Sequence, residues 1–185
     1  TLWWTPIAAM KGEAIRFYED AIARAREVGN KAVESSILSA KGLYIFLLGR
    51  RYQGLERYKG NQIVIDAERL ALETGDQLAI LFSRSVHALS ERWLGRPKKS
   101  IELTDGLGEA LRSVFNLKQL LGIIFIRGIA LAEIGRIEDG IKLLKDGIDI
   151  CEKFGTAFWL GRFFNALGYC YQEIHHPRRA SSLNE

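Results

Sequence analysis

Residues 130–144, ALAEIGRIEDGIKLL, decide the fold of this chain. Gly135 separates two segments whose apolar residues recur at helical spacing, namely Ile123, Ile126, Leu131 and Ile134 before it and Ile141, Leu144, Ile148 and Cys151 after it. A glycine in this position predicts a tight turn between two helices. Two more glycines, Gly128 and Gly140, fall inside the helical segments, where glycine costs about 1 kcal/mol relative to alanine. They predict points where helices cross so closely that a side chain would hold the backbones apart.

The same arrangement recurs along the chain. Predicted helix ends lie at Gly29, Gly75, Phe115 and Gly155. These ends are 46, 40 and 40 residues apart. Small residues keep the same register, thirteen residues after each end at Gly42, Ala88, Gly128 and Gly168, and fifteen before it at Ala14, Gly60, Ser100 and Gly140. Such a period is typical of a helical array, in which each repeat is a hairpin of a first helix, helix A, and a second, helix B.

The chain is therefore predicted to be all-α, an α-solenoid of stacked antiparallel helical hairpins over residues 1–185. The approximate hairpins are 1–29 (partial), 30–75, 76–115, 116–155 and 156–185 (partial). We attribute the longer spacing of 46 residues to the turn after Gly49, in GRRYQGLERYKG, which would be six residues longer than the equivalent turns. The alternative places the extra residues inside helix B, with Gly54 as its small residue. Because the sequence opens at Thr1 and stops within a predicted helix, we expect a fragment of a larger protein, with self-association through its incomplete end repeats.

The small residue in the middle of helix A, the glycine at the turn and the small residue early in helix B resemble the tetratricopeptide repeat (TPR). Tyr171 matches its aromatic position in helix A and Tyr18 the one in helix B, whereas Ile45, Glu91 and Leu131 depart from the helix A position. The resemblance covers nearly the whole chain. The period of this chain exceeds the usual TPR length of about 34 residues. It is similar to that of the long-helix TPR variant found in large bacterial ATPase-linked, cyclase-linked and LuxR-type regulators. HEAT and armadillo repeats share the period and remain an alternative.

Composition indicates an ordinary globular protein, with 48% hydrophobic residues, 26% charged residues and a net charge of +4. No apolar run approaches the roughly 18 residues that span a bilayer, and TLWWTPIAAM lacks the pattern of a signal peptide. We therefore expect a cytoplasmic protein without membrane contact. Cys151 and Cys170 fall in helical patterns and are predicted to be buried thiols, because neither their number nor their spacing fits a disulfide scaffold or a zinc site.

No motif of catalysis is present in the sequence. A phosphate loop is missing, and DGLGEAL at residues 105–111 lacks the preceding strand of a nucleotide site. His87 lies beside Ala88 in helix A and is predicted to be packed or solvated. The sequence QEIHH lacks metal-ligand spacing, although its possible ligands are Glu173, His175 and His176. We therefore predict no enzyme, no catalytic residue, no cofactor and no metal.

Basic residues follow the predicted helices A and form one edge of the array, here called the basic edge: Arg50, Arg51, Arg96, Lys98, Lys99, Arg136, Arg178 and Arg179. Each lies just past a helix C-terminus, where a cation interacts favourably with the helix dipole. Nucleic-acid binding along this edge is an alternative that requires phosphate contacts across several repeats. Aromatic residues for base stacking do not alternate with these cations, so we predict helix capping.

The remaining candidate site is the concave face that helices A line in such arrays. The residues expected there are Phe82, Ser85, Leu89, Arg92, Phe125, Ile129, Arg162, Asn165, Tyr169 and Gln172. Of these, we expect Arg92, Asn165, Tyr169 and Gln172 to be exposed anchors without a structural role. The TPR resemblance implies a non-catalytic protein–protein interaction and signal-relay segment of a multidomain regulator, which holds a peptide or partner domain. The alternative is a sensor of a small molecule or peptide, which a deep closed pocket would favour.

Overall fold

A computed structural model of the chain describes residues 11–52, 55–113 and 116–173. Within these ranges the chain forms nine α-helices and no strand. The helices are α1 (Lys11–Glu27), α2 (Lys31–Tyr52), α3 (Leu55–Thr74), α4 (Gln77–Trp93), α5 (Pro97–Leu103), α6 (Leu107–Ser113), α7 (Leu117–Glu133), α8 (Ile137–Phe154) and α9 (Ala157–Glu173).

The chain divides into two compact units, Thr1–Ser90 and Glu91–Glu185, and the division falls inside α4. In the first unit α2 packs against both α1 and α3. In the second unit α5, α6 and α8 all pack against α7, and α9 packs against α8 and α7. This order follows the predicted succession of helices A and B, and it confirms the all-α fold of helical hairpins.

Glycines at the predicted turns adopt the left-handed backbone conformation. Gly135, between α7 and α8, has φ +86°, and Gly155, which caps α8, has φ +65°. After Gly155 the Thr156 amide donates to the Cys151 carbonyl over 3.0 Å, which satisfies a carbonyl at the end of α8. Because residues with a Cβ rarely adopt this conformation, these turns select glycine.

Gly60 and Gly140, both inside helices, lie at helix crossings, as predicted. A Cβ added to Gly60 of α3 would lie 2.5 Å from the Phe46 amide nitrogen and 2.7 Å from the Gly42 carbonyl oxygen, both in α2. In the second unit, a Cβ added to Gly140 of α8 would lie 2.6 Å from the Gly128 carbonyl oxygen in α7. The close approach of the backbones therefore requires glycine at both crossings.

The predicted long turn after Gly49 is wrong. Helix α2 continues through Gly49 to Tyr52, and α3 begins at Leu55, so most of residues 49–60 are helical. No proline interrupts this segment, and two antiparallel helices can lengthen together beyond a fixed crossing. The six additional residues therefore extend the hairpin beyond the crossing of Gly42 with Gly60.

Helix B of the third hairpin, expected as one helix, is interrupted. Helix α5 ends at Leu103, residues 104–106 form a turn with Gly106 at φ +69°, and α6 begins at Leu107. Arg127 of α7 supports this turn, because its Nη1 donates to the Ile101 carbonyl over 2.9 Å and to Thr104 Oγ1 over 3.1 Å. The interruption is thus stabilised by a specific tertiary contact.

Arg127→Met is expected to lower the free energy of unfolding by about 1 to 2 kcal/mol, because it removes charged hydrogen bonds to partly buried acceptors. Urea denaturation followed by circular dichroism measures the change. Arg112→Met is the control, since Arg112 is exposed on α6 and its replacement is expected to change stability by less than about 0.5 kcal/mol. Equal urea midpoints for both variants would show that Arg127 does not stabilise the interrupted helix.

Candidate partner-binding groove

Helices α7 and α9, the helices A of successive hairpins, pack side by side in the second unit. A groove of about 450 Å³ lies between them, here called the α7–α9 groove. Its lining is apolar at Phe125, Ile129 and Ala166 and polar at Arg162, Asn165 and Tyr169. Ile129 and Ala166 are buried, whereas the three polar residues are exposed. The groove therefore combines an apolar floor with an accessible polar rim.

An aromatic cluster adjoins one end of this groove. The Phe125 ring lies 6.0 Å from the Trp159 ring and 5.9 Å from the Phe163 ring. The guanidinium carbon of Arg162 lies 4.6 Å from the centre of the Phe158 ring and 5.7 Å from that of Trp159. Because a guanidinium packed on ring faces keeps its N–H edges available, Arg162 can donate hydrogen bonds to a partner. Within the described residues, Arg162 forms no ion pair shorter than 4.0 Å.

An ion pair lies near the phenol of Tyr169, which lines the groove. Arg92 Nη2 donates to Glu133 Oε1 over 2.7 Å. Burial raises the pKa of Tyr169, and the carboxylates of Glu173 and Glu133 raise it further. The Tyr169 hydroxyl is therefore protonated at neutral pH and is able to donate a hydrogen bond.

The structure brings together part of the predicted concave face. The α7–α9 groove contains Phe125, Ile129, Arg162, Asn165 and Tyr169. Gln172 is exposed further along α9, and the half-buried residues Phe82, Ser85 and Leu89 belong to α4 in the first unit. Binding at these residues stays a prediction.

The expectation that Arg92 is exposed without a structural role is wrong. Its side chain is only 14% exposed, because it pairs with Glu133 at the C-terminal end of α7. Sequence analysis also missed the stacking of Arg162 on Phe158 and Trp159. Phe158 and Trp159 lie four and three positions before Arg162 on the same helix. This spacing places side chains on one face and could have predicted the contact.

A polar contact recurs between three of the helices A and the helix B before each of them, and sequence analysis did not find it. The residue immediately before the small residue of helix A approaches a carboxylate of the preceding helix B or of its interruption. The pairs are Lys41 Nζ with Glu19 Oε1 at 3.1 Å, His87 Nδ1 with Glu68 Oε2 at 2.5 Å, and Arg127 Nη2 with Asp105 Oδ1 at 3.3 Å. The fourth equivalent is Leu167, which is buried. These contacts link successive hairpins.

The contact of His87 with Glu68 is buried, so His87 is packed and hydrogen-bonded. Burial alone raises the pKa of Glu68, but hydrogen bonds and charge interactions with His87 and Arg84 together outweigh burial and lower the pKa below its ordinary value. Arg84 Nε donates to the other carboxylate oxygen, Glu68 Oε1, over 2.8 Å. Since the carboxylate is ionised at neutral pH, His87 Nδ1 carries the hydrogen that it donates to Oε2. The arrangement satisfies a buried charge and has a structural role.

Several cations of the basic edge pair with neighbouring acids. Arg96 lies 3.1 Å from Glu91, Lys99 lies 3.1 Å from Glu102, and Arg136 lies 2.6 Å from Asp139. Such pairs reduce the positive potential that phosphates would encounter. Four other residues of the basic edge have side chains outside the described part of the structure, namely Arg50, Arg51, Arg178 and Arg179.

The part of the chain that the structure describes comprises residues 11–52, 55–113 and 116–173. These ranges contain no cluster of three or more His, Cys, Asp or Glu residues that could hold a metal ion. His175 and His176 lie outside them. Nor do the described helices include one that is both long and apolar enough to cross a bilayer.

No family model matches the sequence. A comparison with curated proteins also found no significant match. Among solved structures, two Podosopora anserina proteins named for the kinesin light chain, with nearly identical TPR-like repeats, are similar to this chain. One is a variant with 14% identity and a TM-score of 0.68, and the other has 13% identity and a TM-score of 0.66. Both alignments cover 93% of this chain and 82% of the other, and the similarity shows a TPR-like helical repeat fold.

Proposed function

We propose that this chain is a non-catalytic protein-interaction segment that binds a peptide, or an exposed segment of a partner domain, in the α7–α9 groove. The observation that carries this proposal is the groove of about 450 Å³ with its apolar floor and polar rim. Its size lies within the range of ligand-binding clefts, about 300 to 1,000 Å³. A partner would bury apolar side chains against Phe125 and Ile129 and form hydrogen bonds with the rim.

The composition of the rim supports a protein partner. Arginine and tyrosine are enriched among the residues that dominate binding energy at protein interfaces. Arg162 and Tyr169 are both exposed, and the neighbouring Phe158 is 62% exposed. Stacking on Phe158 restrains Arg162 before a partner arrives, which reduces the entropy lost on binding.

The broader context of this proposal is signal relay within a multidomain cytoplasmic regulator. The support is the period of 40 residues, which is similar to that of the long-helix repeats in large bacterial regulators. In this proposal the segment itself needs no cofactor, and its contribution is to hold a partner.

Arg162→Ala and Tyr169→Ala are each expected to weaken peptide binding by about 5- to 30-fold, equivalent to about 1 to 2 kcal/mol. Peptides selected from a displayed random library against the 185-residue chain supply the probe, and fluorescence anisotropy measures their affinity. Thermal stability should change by less than about 1 kcal/mol, because both side chains are at least partly exposed.

Charge reversal on the basic edge supplies the matched control. Lys98→Glu and Arg136→Glu should change the association rate and its salt dependence more than the affinity. If these edge variants lost the selected peptides while both groove variants kept them, the α7–α9 groove would not be the binding site. Labelled oligonucleotides tested with the same variants report any nucleic-acid binding through a steep salt dependence.

A further inference from the structure

A second cavity lies where helix B of the third hairpin is interrupted. It has a volume of about 420 Å³ and is here called the interruption cavity. Leu120, Ile123 and Ile124 of α7 and Leu143 of α8 form an apolar wall. The opposing wall consists of the turn and α6, from Thr104 to Arg112. The apolar residues from α7 lie on a different face of that helix from Phe125 and Ile129, so this cavity is separate from the α7–α9 groove.

The cavity has space beside α6 that a side chain could occupy. Gly108 lies within α6, and a Cβ added to it would meet no atom within 4 Å. Its φ is outside the left-handed region, so neither a turn nor a close backbone contact requires glycine here. Gly108 lines the cavity, and its lack of a side chain leaves this space open.

Charges of both signs surround the apolar wall. Arg112 and Arg127 supply two cations, and Asp105 and Glu109 supply two carboxylates. Arg127 already contacts Asp105 at 3.3 Å. Arg112 and Glu109 are exposed and form no ion pair within 4.0 Å among the described residues. One cation and one carboxylate are therefore available to a ligand.

We propose that the interruption cavity binds a small zwitterion with an apolar side chain, which is the chemistry of an apolar amino acid. Arg112 binds the ligand carboxylate, and Glu109 binds its ammonium group. The apolar side chain packs against Leu120, Ile123 and Ile124. A ligand with a single charge would contact only one of Arg112 and Glu109. This site is independent of peptide binding in the α7–α9 groove.

Isothermal titration calorimetry of the 185-residue chain with L-leucine and L-phenylalanine tests the proposal. Both amino acids are expected to bind with one-site stoichiometry. Isocaproate lacks the ammonium group of leucine, and isoamylamine lacks its carboxylate. The affinity of each should be lower than that of leucine by about tenfold or more, because each loses a charge-assisted contact. Absence of binding by both amino acids, or equal binding of leucine and either analogue, would overturn the proposal.

Gly108→Phe tests the location, because the added ring would fill the cavity. Leucine binding should be lost, while Gly161→Phe should bind leucine as the natural chain does, since Gly161 also lies in open space but on α9. Circular dichroism checks that both variants fold. Arg112→Gln provides a second test if Gly108→Phe does not fold, with an expected loss of about tenfold in affinity. Unchanged leucine binding in a folded Gly108→Phe or in Arg112→Gln would contradict the proposal.

Discussion

Gly60→Leu is expected to lower the free energy of unfolding by about 3 kcal/mol or more, at the upper end of the usual cost of overpacking. Even the Cβ would lie 2.5 Å from the Phe46 amide nitrogen and 2.7 Å from the Gly42 carbonyl oxygen. Both are backbone atoms, so α2 and α3 would have to separate, since no side-chain rotation relieves the contact. Urea denaturation followed by circular dichroism measures the loss.

Gly161→Leu is the matched control for that substitution. Gly161 lies within α9, and a Cβ added there would meet no atom within 4 Å. Leucine also favours the helix over glycine by somewhat less than about 1 kcal/mol, so stability should stay constant or rise slightly. Similar losses for Gly60→Leu and Gly161→Leu would show that helix crossing does not explain the glycine at residue 60.

Glu68→Ala is expected to destabilise the chain by about 3 kcal/mol, because it removes a buried carboxylate that accepts hydrogen bonds from His87 and Arg84. His87 is 8% exposed and loses the acceptor of Nδ1. The Arg84 side chain is 32% exposed and can regain part of its hydration, which keeps the loss near the lower end of the range. Thermal and urea unfolding measure it. Glu68→Gln, which retains an acceptor oxygen, should lose less, and an equal or larger loss for Gln would contradict this interpretation.

Acidification tests the charge on the same side chain. Since the folded structure lowers the pKa of Glu68 below its ordinary value of 4.5, its charge contributes stability above that pH. This contribution is lost as the pH falls through the folded-state pKa. The stability difference between the natural chain and Glu68→Gln should therefore shrink below about pH 4.5. A difference that stays constant down to acid unfolding would show that ionisation of Glu68 does not stabilise the fold.

The helical repeat could be predicted because its signals are local in sequence. Gly135 and Gly155 mark helix ends where the backbone itself requires a positive φ. Gly128 and Gly140 recur in register with other small residues, since a close helix crossing excludes a Cβ wherever it occurs. Five groove residues could likewise be predicted, because helical periodicity in a repeat determines which positions share a face.

By itself, the sequence determined the class of fold and the helix ends and helix crossings that glycines mark. Tertiary structure alone decided the interruption of helix B near Gly106, the continuation of α2 to Tyr52 and the pairing of Arg92 with Glu133. It also decided that Glu68 serves as the acceptor for His87. The physical reason is that these features depend on contacts between residues far apart in the sequence, as when Arg127 supports the turn at Gly106 and α2 packs along α3. From the sequence alone, a charged side chain such as Arg92 could pair with any of several acidic residues. The distances between side chains in the folded structure decide which pair forms.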